Sequence, residues 1–378
     1  MEGRPGEAYR RILLILLAPI GDTLFATPAI RGLRRVYPQA RIDALVWDSN
    51  RAVLENNPDV NRLTVFQPRL GCFGRLRRQH YDLALHFAPF HDYFGLLSGI
   101  PRRLALPAPW LFWLWPHRNR RWRLTHAREH YLDVLRPLGV RVEDKRLVLK
   151  VSGRQEAFAE EYLAGNGHQP GELLVGIHAG GSGFSGAKRW GPEGFAWAAR
   201  QLGRDRHVRL VFFGGAADAQ LARAVVRAGV PDGWIDTCGR VSLSQAIGLL
   251  GRLDLFVGND SGPLHLAAAL DVPVVGIYGP TSIMNFHPIG CRVRAVFGAV
   301  PCPAGYGFIG TRAVWSRRSC RGECLDSVEP AQVLAAARDL LAEHQCHPER
   351  RAKGPLARAA ATGDSSLDAQ HDNGRTGL

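Results

Sequence analysis

The sequence predicts an α/β protein built from two doubly wound parallel sheets facing one cleft. Three observations lead there: short apolar runs alternate with helix-length segments, the alternation fills both halves, and a crossover stretch from Leu138-Gly139-Val140 to Lys150 separates them. At 378 residues the chain is long enough for two cores, and 46% hydrophobic with 22% charged residues is a globular composition. The first apolar run, Ile12 to Ala18, follows Arg10 and Arg11 and so imitates a secretory signal. It is too short to span a bilayer and leads directly into Gly21-Asp22, which fits a buried first strand over 12–18. A helix is expected from Asp22 to Tyr37, then strands near 42–47, 62–66 and 82–87, and a helix near Ala127 to Arg136. In the second half the strands fall near 173–178, 208–213, 254–258 and 273–278. The expected boundaries are a first domain over 1–140, a second over 151–330, a closing helix over 330–343 and a disordered polar tail over 345–378.

A formal net charge of +14 points to anionic partners. No stretch reaches spanning length, so a cytoplasmic protein is expected. Seven cysteines, odd in number and mostly scattered, argue against a disulfide framework. Cys302, Cys320 and Cys324 cluster, but no fourth ligand can be named, so no metal site is expected. Between 101 and 128, tryptophans that include Trp113 and Trp115 interleave with arginines that include Arg118, Arg120 and Arg121, with no acidic residue. That mixture suits an anionic membrane surface. The plainer alternative is core tryptophans with a solvated arginine rim, and nucleic acid ranks last because no binding motif accompanies the patch.

Residues 254–271 carry the most information. Leu255-Phe256-Val257 ends at Gly258, polar turn residues follow, and Pro263 opens an alanine-rich helix. Such a strand, turn and helix start aims backbone N–H groups and a positive dipole end at a phosphate or diphosphate, with Asp260, Ser261 and His265 around the point. Simple helix capping by Asp260 or Ser261 is the alternative. Asp22 ends the first strand's turn, where a carboxylate can take a proton from a hydroxyl, or cap the helix as a dipole-stabilised and therefore weak base. From His178 to Trp190, glycines including Gly181, with Ser182 beside it, let amides approach a phosphate, and Lys188 supplies a point charge. The loop is neither a Walker A nor a G-x-G-x-x-G sequence. Asp218, after Gly214-Gly215, stands where a carboxylate binds ribose or caps the next helix.

Taken together, these motifs resemble glycosyltransferase family 9. The resemblance rests on Gly21-Asp22, Thr27-Pro28-Ala29, Asn57-Pro58-Asp59-Val60, Lys188-Arg189-Trp190, Gly214-Gly215, Asn259 to His265, and Tyr278-Gly279-Pro280-Thr281, over roughly 10–343. It implies a GT-B architecture, two Rossmann-like domains with the acceptor in the first and a sugar nucleotide in the second, no metal and no cofactor. It further implies Asp22 as the base, and Lys188 with Asp260, Ser261 and Gly262 at the donor diphosphate, beside Gly181, Ser182 and His265. Asp218, Gly279 and Thr281 fall near the nucleoside. The implied activity is an inverting transfer, most simply of a heptose from ADP-heptose to a lipopolysaccharide core or other lipid-linked saccharide at the inner face of the inner membrane. Two departures stand out: Gly191-Pro192 where many relatives have Trp-Pro directly, and the extra tail. The donor sugar stays open. Two rivals from other classes are a nicotinamide oxidoreductase, which lacks its glycine fingerprint here, and a non-catalytic basic module on a transferase fold.

Overall fold

Strand order carries most of the functional geometry. The computed structural model describes residues 9–67, 71–87, 97–105, 125–181, 188–204, 207–230, 232–290, 292–300 and 322–345. In the first lobe the strands are β1 (Arg11–Leu16), β2 (Arg41–Val46), β3 (Arg62–Val65), β4 (Leu83–His86) and β5 (Arg102–Ala105). They form a parallel sheet in the order β3-β2-β1-β4-β5. The second lobe holds β6 (Leu173–His178), β7 (Val208–Phe212), β8 (Ile235–Asp236), β9 (Leu255–Asn259), β10 (Val274–Tyr278) and β11 (Val293–Phe297). Its order is β11-β10-β9-β6-β7-β8, again parallel. In each lobe the first strand lies centrally and the chain winds outward in both directions, so a crevice opens where the winding reverses, at the carboxyl ends of β1 and β4 and of β6 and β9.

The expected strands all form, because strands covered on both faces read as continuous apolar runs. Ile12, Leu14 and Leu16 point into one core cluster, and Leu13 and Ile15 into another on the opposite face of the sheet. The second sheet is likewise covered on both faces. The closing helix α12 (Pro330–Gln345) buries Val333, Ala337 and Leu340 against it. Three edge strands were not expected: β5, β8 and β11 are short or carry arginine. Arg102 and Arg103, counted in the arginine and tryptophan stretch, pair as β5 residues with Leu83 and Ala84. Trp113, Trp115, Arg118, Arg120, Arg121, Ser182, Cys302, Cys320 and the tail beyond 345 lie outside the described residues.

The single helix expected from Asp22 to Tyr37 is two, α1 (Ile20–Phe25) and α2 (Thr27–Val36). Pro28 has no N–H for the Leu24 carbonyl, so the Thr27 hydroxyl donates to it instead, at 2.7 Å. That hydroxyl also accepts from the Val148 N–H at 2.9 Å, which ties the crossover to the break. The other helices that matter here are α3 (Gly71–Arg77), α4 (Ala127–Asp133), α5 (Gly153–Gly165), α6 (Pro192–Gly203), α7 (Ala219–Arg227), α8 (Leu243–Leu250), α9 (Gly262–Ala269), α10 (Ile283–Phe286) and α11 (Glu323–Asp326). Gly191, the departure from the Trp-Pro pattern, is the N-cap of α6, with Pro192 in the first turn.

The lobes share core. Leu24 and Val53 of the first pack into a cluster of the second, and Phe286 of the second into a cluster of the first. Polar ties flank the seam: Asn56 Nδ2 donates to Gln155 Oε1 at 2.8 Å and Ser244 Oγ to Glu55 Oε2 at 3.0 Å. At the crevice, α1 meets the N-terminus of α9. A side chain at Gly262 would stand 3.1 Å from Ile20 Cβ, so glycine there permits the approach.

Candidate active site

Two buried asparagines shape the two crevice turns. Asn50, fully buried, donates through Nδ2 to the carbonyls of Leu16 and Ala18 at 3.0 and 2.8 Å and lies 2.6 Å from Thr23 Oγ1, which fixes the turn from β1 into α1. Asn259, also fully buried, donates to the carbonyls of Ala179 and Gly180, both at 2.9 Å, and accepts from the Trp190 N–H at 3.1 Å. One side chain thus holds both ends of the glycine-rich loop and sets the backbone that carries Lys188. Asn259→Asp would put an acceptor against two carbonyls. We expect it to cost about 1–3 kcal/mol of stability, read as a lower Tm, and to weaken ADP binding; an unchanged Tm would remove Asn259 from this role.

Asp22 occupies the first turn of α1, whose N-cap is Pro19, so the carboxylate is not the helix cap. Its Oδ1 accepts from the Tyr131 hydroxyl of α4 at 2.6 Å. Burial raises its pKa above the ordinary carboxylate value and outweighs the Tyr131 hydrogen bond and the charges of His265 and Lys188, while Asp260 adds to the rise. The dipole-weakened base that the sequence allowed is therefore reversed: desolvation wins, and the carboxylate is a better proton acceptor than an exposed one.

Facing it from the second lobe, Asp260 follows β9 and Ser261 is the N-cap of α9. Asp260 Oδ2 pairs with Lys188 Nζ at 3.4 Å and Oδ1 meets His265 Nε2 at 3.2 Å. Burial would raise its pKa, but the His265 hydrogen bond, the Lys188 and His265 charges and the Thr281 hydroxyl bring it below the ordinary value, so it stays anionic. An anion repels a diphosphate. Asp260, expected at the phosphates, here pairs with Lys188, whose part-buried ammonium is the cation beside this turn. His265 likewise serves Asp260: its ring lies against Phe25 at 4.9 Å, 4% exposed, with Nδ1 lacking a hydrogen-bond partner among the described residues.

Ser261 Oγ lies 3.0 Å from His178 Nδ1 and donates to the Asn259 carbonyl at 3.1 Å, which leaves the first N–H groups of α9 as the anion donors of this turn. Asp218, expected near the ribose or as a helix cap, is engaged within the second lobe. Its Oδ2 accepts from the Gly215 N–H at 3.0 Å and sits 3.8 Å from His178 Nε2. The polar contact with His178, ahead of the opposing burial, lowers its pKa. Gly279, expected near the nucleoside, is covered by Leu325, and Thr281, expected there too, is buried with its hydroxyl on Asp260. Gly181 lies beside Arg189, at the start of the undescribed part of the loop. Sequence reasoning missed Asn50 and Tyr131, and left Asn259 inside its motif without a role.

No helix among the described residues is long and apolar enough to cross a membrane. Lipopolysaccharide heptosyltransferase 2 of Salmonella typhimurium is 28% identical over 316 residues, 76% of this chain and 87% of that protein. Among solved structures, the glycosyl transferase family 9 protein of Veillonella parvula superposes with a TM-score of 0.72 at 23% identity, over 89% of this chain and 98% of its own. The Escherichia coli ADP-heptose lps heptosyltransferase II does so at 0.70 and 24%, over 89% and 99%. These two likenesses place the two facing sheets in the GT-B class. The family model described as glycosyltransferase family 9 (heptosyltransferase) matches residues 96–305 and includes the Lys188 and Asp260 turns. On that match, which spans more than half of the 378 residues, the chain belongs to glycosyltransferase family 9 and is a glycosyltransferase.

Proposed function

We propose that the protein moves a heptose from ADP-heptose to a saccharide of the lipopolysaccharide core, with inversion at the anomeric carbon and without a metal. The observation that carries this reading is the opposition of Asp22, on the first lobe, to Lys188 and the α9 N-terminus on the second. The names of the relatives, a lipopolysaccharide heptosyltransferase and an ADP-heptose enzyme, support the sugar, the nucleotide and the acceptor.

In the step proposed, the acceptor oxygen bonds to the anomeric carbon while the bond from that carbon to the diphosphate oxygen breaks. The acceptor proton passes to Asp22, and the electron pair leaves with the diphosphate. Charge builds on the departing group late, where Lys188 and the free N–H groups of α9 meet it. Because burial raises the Asp22 carboxyl above its ordinary value, the acid limb of kcat/KM is displaced upward from where an exposed aspartate would put it.

We place the acceptor at an anionic membrane surface, through the arginine and tryptophan stretch that includes Trp113, Trp115, Arg118, Arg120 and Arg121, with the enzyme peripheral on the cytoplasmic side. The test is nucleoside diphosphate release from a panel of ADP-, UDP- and GDP-activated sugars with truncated lipopolysaccharide in anionic vesicles. We expect release chiefly from ADP-heptose, undiminished by EDTA, and protein pelleting with the vesicles at low salt. Release from another nucleotide sugar alone would change the donor, and loss on chelation would overturn metal independence. Vesicles that leave the protein in the supernatant would remove the membrane contact.

A further inference from the structure

Tyr131 lies 109 residues from Asp22 in the chain, and its hydroxyl reaches that carboxylate at 2.6 Å. The helix that carries it, α4, is anchored at its start to both lobes. His126 caps it by accepting from the Arg128 N–H at 3.0 Å, and the same imidazole meets the His287 carbonyl of the second lobe through Nε2 at 2.9 Å. Asn285 Nδ2 of α10 donates to the Thr125 carbonyl at 2.7 Å. The ring of Tyr131 is 6% exposed and packs 6.1 Å from Phe87, centroid to centroid.

Burial and the neighbouring charge of Asp22 raise the phenol pKa well above its ordinary value, so it is a neutral donor across the working range. Among the described residues, the titratable groups whose hydrogen bond or charge acts on Asp22 are Tyr131 from α4, His265 from α9, Lys188 from the segment before α6, and Asp260 from the turn after β9. Of these, Tyr131 is the one that hydrogen-bonds to it.

We propose that Tyr131 is the positioning residue of the base: its hydroxyl holds Oδ1 of Asp22, so that Oδ2 is the oxygen presented to the acceptor hydroxyl. The inference rests on Asp22 being the base. A donor fixed on one oxygen also favours the ionised carboxylate against the desolvation that surrounds it, so it both aims the base and keeps it ready.

Tyr131→Phe keeps the packed ring and removes the donor. With ADP-heptose and truncated lipopolysaccharide, the acid limb of its kcat/KM profile moves up by about one to two pH units. On the acid side of the shifted limb kcat falls by the corresponding factor of about 10 to 100, the KM for ADP-heptose is unchanged, and activity returns as the pH is raised. Tyr131→3-fluorotyrosine, a stronger donor of nearly the same shape, moves the limb the other way, and it carries the test should the phenylalanine variant fail to fold. Equal loss at every pH with an unmoved limb, or profiles like wild type in both variants, overturns the inference. Asp22→Asn separates the two levels. If it retains full turnover, the base assignment itself fails. If it is inactive while both Tyr131 profiles stay put, only the role of Tyr131 fails.

Discussion

Asp22→Asn lowers kcat by about 10²- to 10⁴-fold, the ordinary worth of a positioned general base, while ADP still binds with near wild-type affinity. Asparagine keeps the shape and can still accept from Tyr131 at the oxygen that the hydroxyl meets at 2.6 Å. What it loses is the capacity to take a proton. ADP lies on the second lobe in this account, so calorimetry with ADP separates a catalytic defect from a folding defect. Turnover within a few-fold of wild type would place the base elsewhere.

The second large effect belongs to Lys188. Its ammonium lies 3.4 Å from Asp260 and is part-buried, so its charge acts through a medium less screening than water. Because the departing diphosphate gains charge only as the bond breaks, Lys188→Ala should act mainly on kcat, by about 10²- to 10³-fold. The KM for donor should rise less. Lys188→Arg keeps the charge and should recover part of the rate, whereas Lys188→Met should behave like alanine. A variant whose defect lay wholly in donor KM would show that Lys188 binds substrate and transition state alike.

How much of this could be read beforehand depended on whether the signal was local. The central strands announced themselves, since burial on both faces leaves runs such as Ile12 to Leu16 with nothing polar. The edge strand β5 did not, because Arg102-Arg103-Leu104-Ala105 is half exposed and reads as part of a basic stretch. Asp22, Asp260 and Ser261 were legible for the same reason as the strands: each follows closely on an apolar run, where a doubly wound sheet must place its ligands, while Lys188 was legible as the cation closing a glycine-rich loop after another such run. The details of their environment were not. Whether Asp22 is a weak or a strong base turns on its desolvation and on a tyrosine from a distant helix, and no spacing encodes either. Asn50 is similar: it is an unremarkable polar residue in sequence, yet it holds the β1–α1 turn from a short 3-10 helix, Asp48–Val53, 32 residues away from Ala18. The contacts of His265 with Asp260 and of Asp218 with His178 were equally hidden, since each joins residues whose proximity only the fold creates.

At the centre of the account stands one division of labour across the crevice, with the leaving group held by the second lobe and the proton taken by the first. A crystal structure of the protein with ADP bound tests it most directly. The β-phosphate is predicted within hydrogen-bond distance of Lys188 Nζ and the Gly262 N–H, on the side of the crevice facing Asp22. A diphosphate seated away from the β9–α9 turn, or a nucleotide that leaves Asp22 on the far side of the first lobe from it, would contradict the account.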